Sequence, residues 1–79
     1  MTMSDVVRAL MIMRGKKQVE LLDVLDMSSR QSLNNKFMLD RWSGAELIKV
    51  ADYLGCRLAF VLPNQDLLFF DEKEYASKD

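Results

Sequence analysis

Gln18 to Phe37 reads QVELLDVLDMSSRQSLNNKF, and the way this stretch divides decides the fold. An apolar-periodic segment runs to Leu25, Asp26-Met27-Ser28-Ser29 has turn chemistry, and in the segment that follows only Leu33 and Phe37 are apolar. The rest of that segment is Arg30, Gln31, Ser32, Asn34, Asn35 and Lys36. A helix that only packs buries about three residues in seven and fills its outer face with Glu and Lys. Here the outer face carries amides and a guanidinium, whose forked donors and acceptors match base edges. The pattern predicts a helix-turn-helix whose second helix enters a DNA major groove.

Working outward, the 79 residues make one small domain, whose core gains from any partner that buries more apolar surface. Dimerisation is therefore expected. The single Cys56 excludes an intrachain disulfide, and with no His the common zinc clusters and His-based catalysis are absent. No metal and no cofactor are expected, and a reducing, cytoplasmic setting fits best. The apolar run from Val6 to Met13 is interrupted by Arg8 and followed by Arg14-Gly15-Lys16-Lys17, which is neither a signal peptide nor a membrane span. The net charge of -1 hides a split. Residues 1 to 41 carry seven Lys and Arg against five acids, a net of +2, and residues 42 to 79 carry four against seven, a net of -3. The positive half coincides with the candidate helix-turn-helix.

A first helix is expected over about 4–14, with Ser4 as its cap, Asp5 in its first turn and a stop at Gly15. Val6, Val7, Leu10, Met11 and Met13 make it apolar over much of its circumference, and its methionines read as core fillers. A second helix covers about 17–25. The third, about 30–39, begins after Ser29 if that serine is the cap; if Ser28 caps instead, every outward assignment rotates by about 100°. Ser43-Gly44-Ala45-Glu46 is a capping box for a fourth helix over about 44–54, which turns Leu47, Val50, Ala51 and Leu54 to the core and ends at Gly55. Trp42, before that cap, has the position of a hydrophobic staple with Leu47 and reads as structural.

Lys16 to Gly55 resembles the lambda-repressor-like, XRE-type helix-turn-helix family. The residues that carry the likeness are Gln18, Glu20-Leu21, Leu25, Met27-Ser28, Leu33 and Asn35-Lys36-Phe37. The chain departs from that pattern with Leu22 in place of a small residue, Asp26 in place of Gly, and a Ser28-to-Leu33 distance one residue longer. The resemblance implies a mainly α, four-helix lambda-repressor-like domain with a C-terminal antiparallel β-hairpin. It also implies that Arg30, Gln31 and Asn35 face base edges and that Gln18 contacts the DNA backbone. Lys16, Lys17, Lys36 and Arg41 suit phosphates, and Ser29 and Ser43 bring the amide ends of their helices to the same backbone.

From Cys56 the period changes to that of a hairpin, with strands over about 56–62 and 67–71, a turn at Pro63-Asn64-Gln65-Asp66, and a polar tail over 72–79. Cys56, Leu58, Phe60 and Leu62 share one face of the first strand, and the second strand is apolar on both faces. Such a hairpin is expected to be covered on both sides, by its own helices and by a second subunit. Ala59, Val61, Leu68 and Phe70 are the expected dimer contacts.

Two functions follow. The leading one is a sequence-specific DNA-binding transcriptional regulator, a homodimer on double-stranded DNA. The alternative is a protein-interaction module that uses the apolar hairpin without DNA binding. An enzyme is not expected, because there is no nucleophile beside a base, no Gly-rich phosphate loop and no paired carboxylates.

Overall fold

A computed structural model describes residues 1–70, Phe70 by its backbone alone. Asp71, expected to end the second strand, and the expected 72–79 tail lie outside the described residues. The order is α1 (Met3–Met13), a 3-10 turn (Gln18–Glu20), α2 (Leu21–Val24), α3 (Arg30–Leu39), α4 (Gly44–Tyr53), β1 (Leu58–Val61) and β2 (Leu67–Phe70). The described residues are mainly helical, with a two-stranded antiparallel sheet. No helix among the described residues is long and apolar enough to cross a membrane.

Thr2, not Ser4, caps α1. Its hydroxyl accepts from the Asp5 N–H at 3.1 Å, and the Asp5 carboxylate accepts the Thr2 N–H at 3.0 Å. These bonds, the backbone one foremost, hold the Asp5 carboxyl below its ordinary value. Ser4 is thereby released for a different task and is almost fully buried. Its hydroxyl donates to Phe37 O at 2.7 Å and accepts the Trp42 indole N–H at 3.0 Å, while its N–H donates to the Asp40 carboxylate at 2.8 Å. One serine thus ties the start of α1 to the end of α3 and to the linker before α4, with every polar group satisfied. Trp42 meets Phe37 edge-on, with ring centroids 5.0 Å apart.

The expected helix over 17–25 is α-helical only from Leu21 to Val24. Lys17 stands at the start without a side-chain cap bond, and the entry tightens into the 3-10 turn, which satisfies its amides locally. Leu21 at its centre is wholly buried. Asp26 leaves the helix with φ 55, which lets the Met27 N–H close back on Leu22 O at 2.8 Å.

Ser29 caps α3: its hydroxyl accepts the Ser32 N–H at 3.1 Å. Ser28 is excluded from that role, and the outward positions on α3 are those counted from Ser29. The capping box at Ser43 and Glu46 forms as the spacing predicts. Val7, Met11, Leu21, Leu33, Phe37, Val50 and Leu54 make the core, so all four helices contribute to it or abut it. On α4, Val50 and Ala51 are buried as expected and Leu47 packs partly against the core, but Ile48 is buried too. Met13 points out at 74% exposed, so only the Val7 and Met11 side of α1 fills the core.

The hairpin's register divides the expected dimer contacts between its two faces. Leu62 N–H donates to Asp66 O, and Gln65, at φ 75, donates to Leu62 O. The loop is therefore three residues, Pro63 to Gln65, and not four. The register becomes Ala59 opposite Phe69, Phe60 opposite Leu68 and Val61 opposite Leu67. A one-residue change flips every side chain of the second strand. Ala59 and Val61 consequently share a face with Leu67 and Phe69, while Leu68 and the Phe70 position belong to the face of Leu58 and Phe60. The four expected contacts do not form one surface. Nor do the described residues cover the hairpin: Leu58 and Ala59 are half-buried, but Val61 is 64% and Leu68 57% exposed.

Candidate nucleic-acid interface

Leu33 and Phe37 anchor α3 by its inner side. At 100° per residue, Gln31 lies about 160° and Asn35 about 200° around from Leu33, so both stand on the crest facing away from the core. Both are exposed, and the Gln31 amide N–H donates to Asn35 Oδ1 at 3.4 Å. Arg30 is also exposed but sits only about 60° from Leu33. It stands on the shoulder of the helix, where it lines a shallow groove with Gln18, Val19, Leu33 and Asn34. The start of the 3-10 turn and the start of α3 therefore meet at one place, with Gln18 and Arg30 on its two walls.

Sequence reasoning passed over two residues on this surface. Asn34 shares the groove with Arg30. Met38, 79% exposed, continues the Gln31 and Asn35 crest by one more turn. The spacings of three and four residues that link Gln31, Asn34, Asn35 and Met38 were there to find it. A second groove, lined by Met27, Ser32, Asn35, Lys36, Leu39 and Arg41, flanks the crest on its other side.

The residues expected at phosphates divide into two groups. Lys16, Lys17, Gln18, Arg41 and Ser43 are exposed. The Lys16 ammonium lies 5.3 Å from the Tyr53 ring centre, and the Tyr53 hydroxyl donates to the Glu20 carboxylate, a bond that raises the phenol above its ordinary value. Ser29 and Ser43 spend their hydroxyl acceptors on the caps of α3 and α4. Lys36 stands apart from these. Its ammonium is held by Glu46 at 2.7 Å and by Arg41 O at 2.9 Å, over the Trp42 ring. The end of α3 abuts the start of α4, where the capping-box carboxylate is already fixed, and the lysine is drawn to it. Burial alone would raise the Glu46 carboxyl; the Lys36 and Ser43 hydrogen bonds outweigh that and hold it below the usual carboxylate range. Lys36 is a strut between helices, with its charge offset.

Among the described residues, no group of three or more His, Cys, Asp or Glu is placed to hold a metal ion. Searches against protein-family models, curated proteins and solved structures find no match to this chain. The surface is a short, convex helix with amides on its crest, a guanidinium on one shoulder and exposed cations at its approaches.

Proposed function

We propose that this chain is a sequence-specific DNA-binding transcriptional regulator of the XRE helix-turn-helix type, working in the cytoplasm as a homodimer on double-stranded DNA. α3 lies in the major groove. The observation that carries this reading is the placement of Arg30, Gln31 and Asn35 on solvent-facing positions of a helix fixed from beneath by Leu33 and Phe37. Gln31 and Asn35 suit the N6/N7 edge of adenine, and Arg30 suits the O6/N7 edge of guanine, each good bidentate contact discriminating by about 1–3 kcal/mol. Lys16, Lys17 and Arg41 approach phosphates, which fix register without reading sequence.

The test is a selection of bound duplexes from a random pool, followed by Gln31→Ala, Asn35→Ala and Lys17→Ala against the selected and a scrambled duplex. The two amide variants lose affinity for the selected duplex far more than for the scrambled one, and Lys17→Ala weakens both alike. Equal losses in all three overturn the assignment of α3 to base reading.

The exposed apolar hairpin favours a second reading, a protein-interaction module that keeps the helix-turn-helix architecture without binding DNA. In that case the pool yields no enriched sequence.

A further inference from the structure

The hairpin's hydrogen-bond phase fixes which backbone groups are spoken for. Leu62 N–H donates to Asp66 O, so these two residues face each other as a bonded pair. Bonded and non-bonded pairs alternate in an antiparallel ladder. Phe60 with Leu68 and Leu58 with Phe70 are then the bonded pairs, while Ala59 with Phe69 and Val61 with Leu67 are the non-bonded ones. The N–H and C=O groups of Ala59, Val61, Leu67 and Phe69 therefore point outward from the sheet edges. The two edges are not equivalent, because β1 is the strand that packs on α4 while β2 packs mainly on β1. Among the described residues the outer edge is that of β2, whose Leu67-Leu68-Phe69-Phe70 include no charge and no proline. Those are the usual devices that stop an edge from pairing with another strand.

The geometry points to β2 as the seam of the homodimer: two copies join their β2 strands antiparallel, edge to edge, into one four-stranded sheet. It rests on the dimeric part of the function proposed above and names its interface. In this pairing Leu67 of each copy bonds Phe69 of the other, and Leu68 sits at the two-fold axis. An antiparallel edge is complementary to itself, which an isologous contact requires. Val61, Leu62, Leu67, Leu68 and Phe69 are 38% to 64% exposed. They leave apolar side chains exposed on both faces of the hairpin, Val61, Leu67 and Phe69 on one and Leu62 and Leu68 on the other, and exposed apolar surface of this kind marks an interaction site. The β2 strand itself carries no charge, and the guanidinium of Arg57, the residue before β1, stands over the Phe69 ring, 4.1 Å from its centre.

The experiment is made on the full 79-residue chain, prepared by chemical synthesis with a single N-methyl group on the Leu67 amide or, as a control, on the Ala59 amide. Each methyl removes one outward N–H and leaves the intrachain ladder untouched. Sedimentation equilibrium then reads the dimer constant. The Leu67 methyl raises it at least about tenfold, because two bonds are lost at the two-fold seam and the methyl groups obstruct it. The Ala59 methyl leaves it within about twofold, because its group lies on the other edge. A dimer indifferent to the Leu67 methyl, or one dissociated by the Ala59 methyl, overturns the β2 seam and leaves the dimeric reading standing. A wild-type chain that stays monomeric at high concentration overturns both. Should a synthetic chain fail to fold, amide exchange on the wild type carries the same test. The Leu67 and Phe69 amides are protected in concentrated protein and lose that protection on dilution; fast exchange of both at every concentration contradicts the seam.

Discussion

The Lys36 ammonium and the Glu46 carboxylate meet at 2.7 Å where α3 ends and α4 begins. This pair joins the two helices and offsets the charge of a lysine whose position in the sequence suits a phosphate. Its consequences are measurable in pH and in salt. Glu46 is held below its ordinary value in the folded chain. A carboxyl depressed by folding adds stability that is present above its unfolded value, near 4.5, and is lost as pH falls through the lower folded value. Glu46→Gln should therefore cost about 1 kcal/mol at neutral pH, and the gap to wild type should close in acid. Urea melts at pH 7 and at pH 3 check this; a gap that does not change with pH contradicts it.

Ser4 is small, nearly fully buried, and linked to three different residues. Ser4→Ala leaves the Trp42 indole N–H without its acceptor and should destabilise the chain by about 1–3 kcal/mol. Thr2→Ala, which removes only the exposed cap of α1, should cost about 1 kcal/mol. Denaturant unfolding ranks the two. The reverse order would contradict the role of Ser4 as the buried link from α1 to Phe37, Asp40 and Trp42.

Asp26 and Asp40 both have φ 55, yet the two should respond oppositely to glycine. At Asp26 the change relieves left-handed strain of about 1–2 kcal/mol against a smaller gain in unfolded-chain freedom, so Asp26→Gly is neutral or stabilising. At Asp40 the same relief is outweighed by loss of the carboxylate that accepts the Ser4 N–H, so Asp40→Gly destabilises by about 1 kcal/mol. Thermal melts of the pair decide it.

What the sequence showed of this fold was the part governed by neighbours along the chain. Ser29, the Ser43 and Glu46 box, and the glycines at 15 and 55 declare helix ends through local bonds, and the structure has them where the residues place them. The start of α1 was equally local: Thr2 and Asp5 have the capping spacing, but Ser4 beside Asp5 drew the assignment. The hairpin register was not legible, because Leu67 to Phe70 is apolar at every position and offers no alternation to choose a face. The fate of Lys36 depended on where α4 packs, which no spacing within α3 contains. On the candidate surface, Gln31 and Asn35 were legible from the helical period. The groove that Arg30 lines with Gln18 and Val19 needed the position of the 3-10 turn.

The proposed function also predicts which lysines count. Lys36→Ala should lower stability and leave the salt dependence of duplex binding unchanged, because Glu46 already offsets that charge. Lys17→Ala, at an exposed site, should flatten the slope of log K against log salt by about 2 for a dimer, one phosphate contact per copy. Filter-binding or anisotropy titrations over a salt series distinguish the two variants.

The most direct test of the account is that same salt series on the wild-type chain with its selected duplex. Lys16, Lys17 and Arg41 from two copies give a slope of about -5 at roughly 0.9 per phosphate, and the account predicts a value near this. Absence of duplex binding at low salt, or a slope flatter than about -1, would contradict it.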